Sequence, residues 1–556
     1  NEFDAALAGK LRVVPSMMAA QRTYADGGTT KFSGGLIFSH YLNRVRISVI
    51  LSFSVNLHQM TTTNQRNLTI FWIAAAALTV FVYFFGLTIP LIGPDEPRYT
   101  QVAREMFYRN DWVTTTLGGF NWFEKPALLY WLQITSFHVF GISEFAARFG
   151  SALFGLGTVT SLWFVGYYHA QDRTRAIQFA NWLALIAAAS LGLIVFARGA
   201  SFDIILTFPV TAALACFYIY DRRSQDTAAT LPLIGLYFFI GVALLAKGLV
   251  GAVLPLAIIG LYFVISRRFP SRVFIISLFW GAIITLAVGA VWYLPMYLRH
   301  GQEFIDEFFI QHHFQRYTSN KYRHPQPFWF FWVIIPLFVV PWTPFYLAGV
   351  YRSIKGLFNK AATPQEPEHA TLIRFSVAWM LVPLVFFSFS GSKLPGYILP
   401  AVPGAVIFTW LYIRGFMQGS AKREMLIKTA AVGMYLVILG LLIFAVPRYA
   451  DADSVKRLIE TADEAGHHDA NVIGFRHVSH NAEYYAAGRL VRTEDGAQKE
   501  FQEPELIADQ IRDTFRGEYI VIVPLRHLDD LRSSPELNVQ VIADNTHVAI
   551  ASVTLR

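Results

Sequence analysis

The sequence predicts a polytopic α-helical membrane protein with a small water-exposed α/β domain at its carboxy end. Among its 556 residues, 54% are hydrophobic, 15% are aromatic and only 15% are charged, whereas soluble proteins average about 25% charged residues. The apolar residues gather in windows of about 20, the helix length that crosses roughly 30 Å of hydrocarbon. Charged residues return after residue 448. We therefore expect a membrane domain over residues 67–448 and a soluble domain over residues 449–556.

Residues 1–66 are predicted to be an added or extended amino-terminal segment. Position 1 is not Met, and the apolar stretch 35–55 is interrupted by Arg44 and Arg46. A signal peptide would have a small-residue cleavage site after a clean apolar core, which this stretch lacks. The first membrane helix is therefore expected to begin at Leu68.

The basic loops between the apolar runs predict the topology. The runs begin near residues 68, 145, 176, 203, 231, 249, 272, 328, 371, 395 and 425. Every second connection is rich in Lys and Arg, at residues 169–175, 221–226, 266–272, 351–360 and 414–423. Because cytoplasmic loops carry an excess of Lys and Arg, these loops and the amino end are predicted to face the cytoplasm. The net charge of +8 therefore reflects topology, and no nucleic-acid partner is expected.

The apolar stretch 126–141 is interpreted as a helix at the outer membrane interface. Its roughly 16 residues are short for a span, and counting it as a crossing would invert every basic loop that follows. The prediction is about 11 transmembrane helices, within a range of about 11 to 13 and odd in number. The carboxy end then lies on the outer side.

The carboxy-terminal domain is predicted to mix strands and helices. Four runs rich in β-branched residues indicate strands, at residues 471–475, 518–524, 538–543 and 547–555, and residues 453–466 have a helical pattern. The domain contains no glycine-rich phosphate loop, no zinc-spaced set of Cys and His, and no nucleophile elbow.

Charged residues on the predicted outer side indicate a functional site. Asp95 and Glu96 follow the first membrane helix at the start of a helical pattern, where an acid often serves only as a cap. Asp203 lies at the outer end of another run, and Glu124 and Lys125 follow an aromatic cluster. Ionisable groups at membrane level are costly unless they face a cavity or each other. Together these residues favour a functional site over a set of separate caps.

Two further outer segments supply candidate residues. The long connection 299–327 contains His312 and Arg316 and is either a lid or a solvated amphipathic connector. Glu124 with His312 could coordinate zinc if the two side chains meet, although no cofactor is required. The stretch 389–404, "FSGSKLPGYILPAVPG", contains Lys393 and Tyr397, and its Gly and Pro residues are either a kink or the wall of a cavity.

The ordered set of motifs "GPDEP", "EKPALLYWL", "FGISEFAARFGSALFG", "RGASFD" and "GSKLPGYILP" resembles the C-type, lipid-dependent membrane glycosyltransferases related to the protein O-mannosyltransferases. The likeness is greatest to the bacterial branch that adds aminoarabinose to lipid A. It covers about residues 68–415. The resemblance implies an inverting enzyme of the bacterial inner membrane, with undecaprenyl phosphate aminoarabinose as donor and lipid A as acceptor at the periplasmic face. It also implies reduced surface negative charge and resistance to polymyxin.

The resemblance assigns roles to individual residues. Asp95 would orient or deprotonate the acceptor, and Asp203 would be a second acid that binds the cation of the amino sugar. Glu96 is expected to be mainly a capping acid, because consecutive helical residues diverge by about 100° around the axis. A departing phosphate requires fixed cations near its oxygens, and the residues predicted to bind the donor phosphate are Arg98, Lys125, Arg316, Lys393 and Tyr397.

Two other functions remain open from the sequence. A protein O-mannosyltransferase that uses a polyprenyl phosphate sugar would share the membrane half. A lipid transporter or flippase would also hold charges among its helices, but it would be expected to show paired repeats with matching broken helices, and the sequence shows no such symmetry. Membrane lipids are expected neighbours in every case.

Overall fold

The computed structural model describes residues 63–170, 172–223, 230–315, 326–358, 367–514 and 517–556. Residues 1–71 and 72–556 are two compact units, and of the first only the beginning of one helix is described. The predicted extension over residues 1–66 therefore lies almost wholly outside the described residues.

The membrane domain is helical. Its α-helices are α1 (Thr63–Phe84), α2 (Asp95–Arg109), α3 (Leu128–Phe140), α4 (Glu144–His169), α5 (Arg173–Ala188), α6 (Leu191–Ala197), α7 (Phe202–Arg223), α8 (Thr230–Lys247), α9 (Val250–Ser266), α10 (Arg272–Phe304), α11 (Phe330–Phe338), α12 (Thr343–Phe358), α13 (Pro367–Ser388), α14 (Val402–Met417) and α15 (Ala421–Phe444). A short hairpin, β1 (Thr116–Leu117) and β2 (Phe120–Asn121), lies between α2 and α3. A π-helical segment, Ile305–Gln315, continues α10, and a 3₁₀ segment, Pro395–Ala401, precedes α14.

Eight helices among the described residues are long and apolar enough to cross a membrane. They are α1, α4, α7, α8, α10, α13, α14 and α15. The pair α5 and α6, bent by 65°, makes nine if it forms one span. The prediction of a multi-pass helical membrane protein is confirmed. The two remaining predicted runs are also helical. The run near residue 249 forms the 17-residue α9, and the run near residue 328 forms the broken pair α11 and α12. The predicted eleven crossings require both of these to span the membrane.

The helices show one face to lipid and pack through small residues on the other. On α10, Phe279, Ile283 and Leu286 are 76%, 68% and 66% exposed, and their spacing of four and three residues places them on one stripe. Between α4 and α5, a Cβ on Gly166 would lie 2.8 Å from the Cα of Ala180. Because lipid tails are as apolar as the side chains, such close backbone approach is what holds membrane helices together.

The stretch that was interpreted as an interfacial helix forms α3. It has 13 residues, and a helix of that length is about 20 Å long, which is too short for the hydrocarbon layer. The structure therefore agrees that this stretch is a helix that does not span.

The carboxy-terminal domain is built on a five-stranded sheet of order β4-β3-β5-β7-β6. The strands are β3 (Asn471–Phe475), β4 (Glu500–Phe501), β5 (Tyr519–Pro524), β6 (Leu537–Asp544) and β7 (Val548–Leu555), and the helices are α16 (Val446–Asp453), α17 (Lys456–Ala462), α18 (Ala482–Tyr485), α19 (Pro504–Thr514) and α20 (Leu528–Arg532). β4, β3 and β5 are parallel, whereas β7 and β6 are antiparallel to their neighbours. The four strands predicted from the sequence are confirmed.

The central strand β5 explains why this domain has two cores. Tyr519, Val521 and Val523 pack into a cluster that includes residues of α19 and α20, whereas Ile520 and Ile522 pack into a cluster with α17. Successive side chains of a strand point to opposite faces, so an unbroken apolar run requires cover on both sides. The sheet is therefore a middle layer between helices.

Candidate active site

A cavity of about 130 Å³ brings together charged residues from separate segments of the membrane domain. The start of α2 contributes Asp95, the loop before α3 contributes Glu124 and Lys125, the start of α7 contributes Asp203, and the end of α8 contributes Lys247. The cavity is further lined by Tyr99, Pro126, Ser201, Phe202, Val250, Phe386, Phe387, Ser390, Leu394 and Tyr397. Five residues predicted for the site therefore do meet in one place: Asp95, Glu124, Lys125, Asp203 and Tyr397.

Asp95 begins α2 and is held by Arg98 one turn later. Arg98 Nη2 lies 2.7 Å from Asp95 Oδ1, and the side chains are 20% and 48% exposed, respectively. Arg98 Nε also donates to the carbonyl of Pro94 at 2.8 Å. Burial opposes the charge on Arg98, but Glu124, Tyr99 and Asp95 together raise its pKa above the ordinary value. The guanidinium stays charged, and it orients a carboxylate that remains open to a ligand.

Glu96 has a different environment from its neighbour. It is 8% exposed, and its Oε2 lies 2.6 Å from Nη2 of the fully buried Arg148. Its carboxylate also accepts the backbone N–H groups of Ile92 at 3.0 Å and Ala200 at 2.6 Å. The Arg148 guanidinium further donates to the carbonyls of Leu87, Ile89 and Pro90. None of these described partners is an N–H group of α2, so the capping role expected of Glu96 is not what the structure shows. Glu96 instead joins three segments around a buried ion pair.

Glu124 and Lys125 form a second buried pair beside Asp95. Lys125 Nζ lies 2.7 Å from Glu124 Oε1, and each residue is 9% exposed. The hairpin before them is anchored to α2, since Glu105 accepts the N–H groups of Gly118 and Gly119 at 2.6 and 3.2 Å. Charges in such a place interact more strongly than in water, because the surroundings screen them less.

Asp203 forms an ion pair with Lys247 across α7 and α8. The two side chains are 16% and 19% exposed, respectively. The Lys247 ammonium lies 4.6 Å from the centre of the Tyr397 ring, which is within the range of a cation–π interaction. Ser201 Oγ accepts the backbone N–H of Asp203 at 3.2 Å, so the turn before α7 fixes where the acid points.

Lys247 was not predicted from the sequence. It is a single cation at the end of an apolar run, followed by Gly248. A lone ionisable residue between two apolar runs is costly without a partner. That signal could have singled it out, but its partner Asp203 lies 44 residues away and only the fold shows the pairing.

Gly396 allows the segment after α13 to reach the site. A Cβ at this position would lie 1.8 Å from Asp203 Oδ2, so only glycine permits the backbone to pass this close. The next residue, Tyr397, then lies over Lys247. The glycine- and proline-rich break in the sequence is thus part of the cavity wall.

Lys393 lies in the same segment, but its ammonium binds backbone carbonyls. Its ammonium donates to the carbonyl of Ser390 at 2.7 Å and to that of Gln326 at 2.9 Å, and the residue is 7% exposed. It is absent from the described residues that line the cavity. Its predicted role in binding the donor phosphate stays a prediction.

Two predicted residues cannot be placed in the site. Arg316 lies outside the described residues, and His312 belongs to Ile305–Gln315 but its side chain is not described. In the described part of the chain, no group of three or more His, Cys, Asp or Glu side chains is arranged to hold a metal ion. Zinc binding by Glu124 with His312 stays a prediction, and Glu124 pairs with Lys125.

Comparison with known proteins identifies the family. Residues 78–305 match the dolichyl-phosphate-mannose-protein mannosyltransferase family. The undecaprenyl phosphate-α-4-amino-4-deoxy-L-arabinose arabinosyl transferase of Yersinia enterocolitica is 30% identical over 441 residues, which are 74% of this chain and 73% of that protein. The transferase of the same name from Aeromonas hydrophila is 29% identical over 377 residues, 66% of this chain and 65% of that protein.

Solved structures show the same fold. A crystal structure of ArnT from Cupriavidus metallidurans bound to undecaprenyl phosphate superposes with a TM-score of 0.70 at 20% identity, over 86% of this chain and 97% of that one. The archaeal oligosaccharyltransferase AglB from Archaeoglobus fulgidus gives a TM-score of 0.50 at 12% identity, over 83% and 69% of the two chains. The resemblance seen in the motifs is confirmed, and this chain belongs to the family of undecaprenyl phosphate-α-4-amino-4-deoxy-L-arabinose arabinosyl transferases.

Proposed function

We propose that this chain transfers 4-amino-4-deoxy-L-arabinose from undecaprenyl phosphate to a phosphate group of lipid A, with inversion at the anomeric carbon. The observation that carries the proposal is the meeting of Asp95, Lys125, Asp203 and Lys247 in one cavity, in a chain 30% identical to a transferase of that name. The transfer takes place at the periplasmic face of the bacterial inner membrane, and it reduces the negative charge that polymyxin recognises.

The reaction involves two anionic groups, the acceptor phosphate and the phosphate that leaves with undecaprenol. An oxygen of the acceptor phosphate forms a bond to the anomeric carbon, and the bond from that carbon to the oxygen of undecaprenyl phosphate breaks. The electron pair leaves with the phosphate, so negative charge grows on the leaving group. Fixed cations near those oxygens stabilise the transition state more than the ground state.

Lys125 and Lys247 are the cations that line the described part of the cavity. An ammonium group has three N–H donors, so an ammonium that pairs with a carboxylate can still donate to a phosphate oxygen. The pairing with Glu124 and Asp203 holds each ammonium in place before the donor arrives. Tyr397 adds a neutral donor next to Lys247. Arg316 and Lys393 remain candidates for the same phosphate.

Asp95 binds and orients the acceptor. A phosphate monoester has its second pKa near about 6, so most of the acceptor is already ionised at neutral pH. Asp95 therefore has to orient the acceptor more than to remove its proton, and the ion pair with Arg98 holds the carboxylate for that task. Arg98 was predicted to bind the donor phosphate, and its place beside Asp95 also lets it offer a positive charge to the acceptor phosphate. Asp203 fixes Lys247 and can accept the cationic amino group of the sugar.

The test is a transfer assay with purified protein in lipid. Undecaprenyl phosphate aminoarabinose is supplied with lipid A in one arm and with an acceptor peptide in the other, and the products are analysed by mass spectrometry. We expect modified lipid A and unmodified peptide. Modified peptide without modified lipid A would instead support a protein glycosyltransferase, the alternative that the match to the mannosyltransferase family favours.

Lys125→Ala tests the grip on the donor phosphate. Losing one charge-assisted hydrogen bond is expected to weaken donor binding by about 1.5 to 3 kcal/mol, or roughly 10- to 150-fold. Lys355→Ala is the control, because Lys355 is an exposed lysine near the end of α12. Equal donor affinity in the wild type and both variants, at equal thermal stability, would exclude Lys125 from the donor site.

A further inference from the structure

The backbone just before Asp95 is held by side chains of the carboxy-terminal domain. The N–H of Leu91 donates to the hydroxyl of Tyr485 at 2.8 Å, and the N–H of Gly93 donates to Asp453 Oδ2 at 2.7 Å. Between them, the N–H of Ile92 donates to Glu96. Three consecutive amides are thus bound by side chains, and two of the three partners come from beyond the last membrane helix.

The start of this segment is also held by packing and by Arg148, since Leu91 is fully buried and the carbonyl of Pro90 accepts a hydrogen bond from Arg148 Nη2 at 2.8 Å. The end of the segment, next to Asp95, is less tightly packed. Residues 90–94 form no regular helix or strand before α2, and Pro94 has no N–H to donate. Gly93 adopts φ +65°, and apart from Gly93 itself and its two chain neighbours no atom lies within 4 Å of the place where its Cβ would be. The side-chain hydrogen bonds, and not close packing around Gly93, therefore set the direction in which the chain enters Asp95.

Asp453 and Tyr485 are themselves well fixed. Asp453 ends α16, and its carbonyl accepts a hydrogen bond from Asn481 Nδ2 at 3.1 Å. The Tyr485 hydroxyl donates to Glu144 at 3.2 Å, which also pairs with Lys456 at 2.7 Å. These contacts order the two acceptors before any substrate binds.

A second contact reaches the other charged loop of the site. The guanidinium of Arg492 lies so close to Gly118 that a Cβ there would be 2.0 Å from its Nε. Arg492 is held by Glu483, 2.5 Å from its Nη2, and Gly496 packs against Phe120. Gly118 and Phe120 belong to the hairpin that leads directly to Glu124 and Lys125. The carboxy-terminal domain thus touches both loops that bring charges into the cavity.

We propose that Asp453 and Tyr485 are positioning residues for the transfer reaction, acting through the segment 91–93 to place Asp95. The proposal rests on the proposed function, in which Asp95 orients the acceptor. It gives the carboxy-terminal domain a role in catalysis without contact with the substrate. A displacement of a reacting group by about 1 Å can cost about 10²-fold in rate, so two hydrogen bonds on this segment are enough to matter.

The test compares Asp453→Ala and Tyr485→Phe with matched controls. Asp451→Ala and Tyr449→Phe change the same residue types near the same domain, where Asp451 pairs only with Arg457 among the described contacts and Tyr449 is 60% exposed. We expect kcat to fall by about tenfold or more in both positioning variants. The KM for the donor should stay within about twofold, because the lysines that bind the phosphate are not moved.

Two further measurements distinguish a positioning role of Asp453 and Tyr485 from a general loss of structure. Asp453→Asn keeps an oxygen that can accept the Gly93 N–H, so it should restore most of kcat. Hydrogen exchange over residues 88–96 should quicken in Asp453→Ala and Tyr485→Phe, while the melting temperature stays near that of the wild type. The exchange measurement needs neither the donor nor the acceptor. If the wild-type chain has no transferase activity, the proposed function is wrong, but the exchange data still show whether the two side chains hold the segment. Unchanged exchange, unchanged kcat, or no rescue by Asp453→Asn would overturn the positioning role.

Discussion

At the scale of single residues, two adjacent acids have separate tasks. Asp95 is half exposed and pairs with Arg98, an arrangement that leaves its carboxylate accessible to a ligand. Glu96 is buried, and both of its oxygens are bound. The divergence of consecutive helical positions by about 100° points the first acid into the cavity and the second into the protein.

Glu96→Gln is expected to destabilise the protein. The change leaves the Arg148 guanidinium buried without its counter-charge, and breaking a buried ion pair costs about 3 to 5 kcal/mol. Thermal unfolding in detergent measures this. Asp95→Asn is the control, because the pair of Asp95 with Arg98 is partly exposed and is expected to contribute less to stability than a buried pair. If both variants melt at the temperature of the wild type, the ion pair between Glu96 and Arg148 does not contribute to stability.

Gly396→Ala is expected to lower transferase activity sharply. The added methyl group would overlap Asp203 Oδ2, so either the acid or the segment that carries Tyr397 has to move. Gly440→Ala is the control, because nothing lies within 4 Å of the Cβ position of that membrane-helix glycine. Full activity in Gly396→Ala would show that the close approach is not needed for catalysis.

Much of the site could be read from the sequence, and the missing parts have one physical cause. Asp95, Lys125 and Asp203 were identified because charges beside membrane runs are costly without a purpose. Lys247 and Arg148 were missed, because each sits inside or at the end of an apolar run and its acidic partner lies on another helix. An ion pair between two helices depends on how the helices pack, and the residue types in the sequence do not show this packing.

At the scale of elements, the long helices were the easiest to predict, since the bilayer fixes their length. The strands of the carboxy-terminal domain were also found, because their β-branched runs end at charged residues. Broken helices were harder. The run near residue 176 divides into α5 and α6, and the run near 328 divides into α11 and α12, where a hydropathy pattern shows only continuous apolar sequence.

The loop between β3 and α18 is expected to make stability depend on pH. Burial, with Arg98 nearby, lowers the pKa of His480 below the ordinary 6.5, and burial, with Arg526, does the same for His477. Below pH 6.5 the unfolded chain then binds more protons than the folded one, so stability falls as the pH drops toward the folded pKa values. The melting temperature should fall between about pH 7.5 and 5.5, and less in His480→Gln. If the melting temperature of His480→Gln depends on pH as steeply as that of the wild type, His480 does not cause the pH dependence.

At the scale of the whole molecule, the five basic loops predict an amino end in the cytoplasm and a carboxy-terminal domain in the periplasm. Reporter fusions test this directly. A phosphatase fused after residue 448 should be active, and a fluorescent protein that needs the cytoplasm should be dark at the same position. The reverse result would invert the topology and move the cavity to the cytoplasmic side.

The proposed function requires that this chain modify lipid A and that Asp95 take part in the reaction. The most direct measurement is mass spectrometry of lipid A from a bacterium that makes the donor but lacks its own aminoarabinose transferase, carrying either the wild-type chain or Asp95→Asn. We expect aminoarabinose on lipid A with the wild type and a loss of about 10²- to 10⁴-fold with Asp95→Asn, at equal expression and donor binding. Unmodified lipid A with a well-expressed wild-type chain, or full modification with Asp95→Asn, would contradict the account.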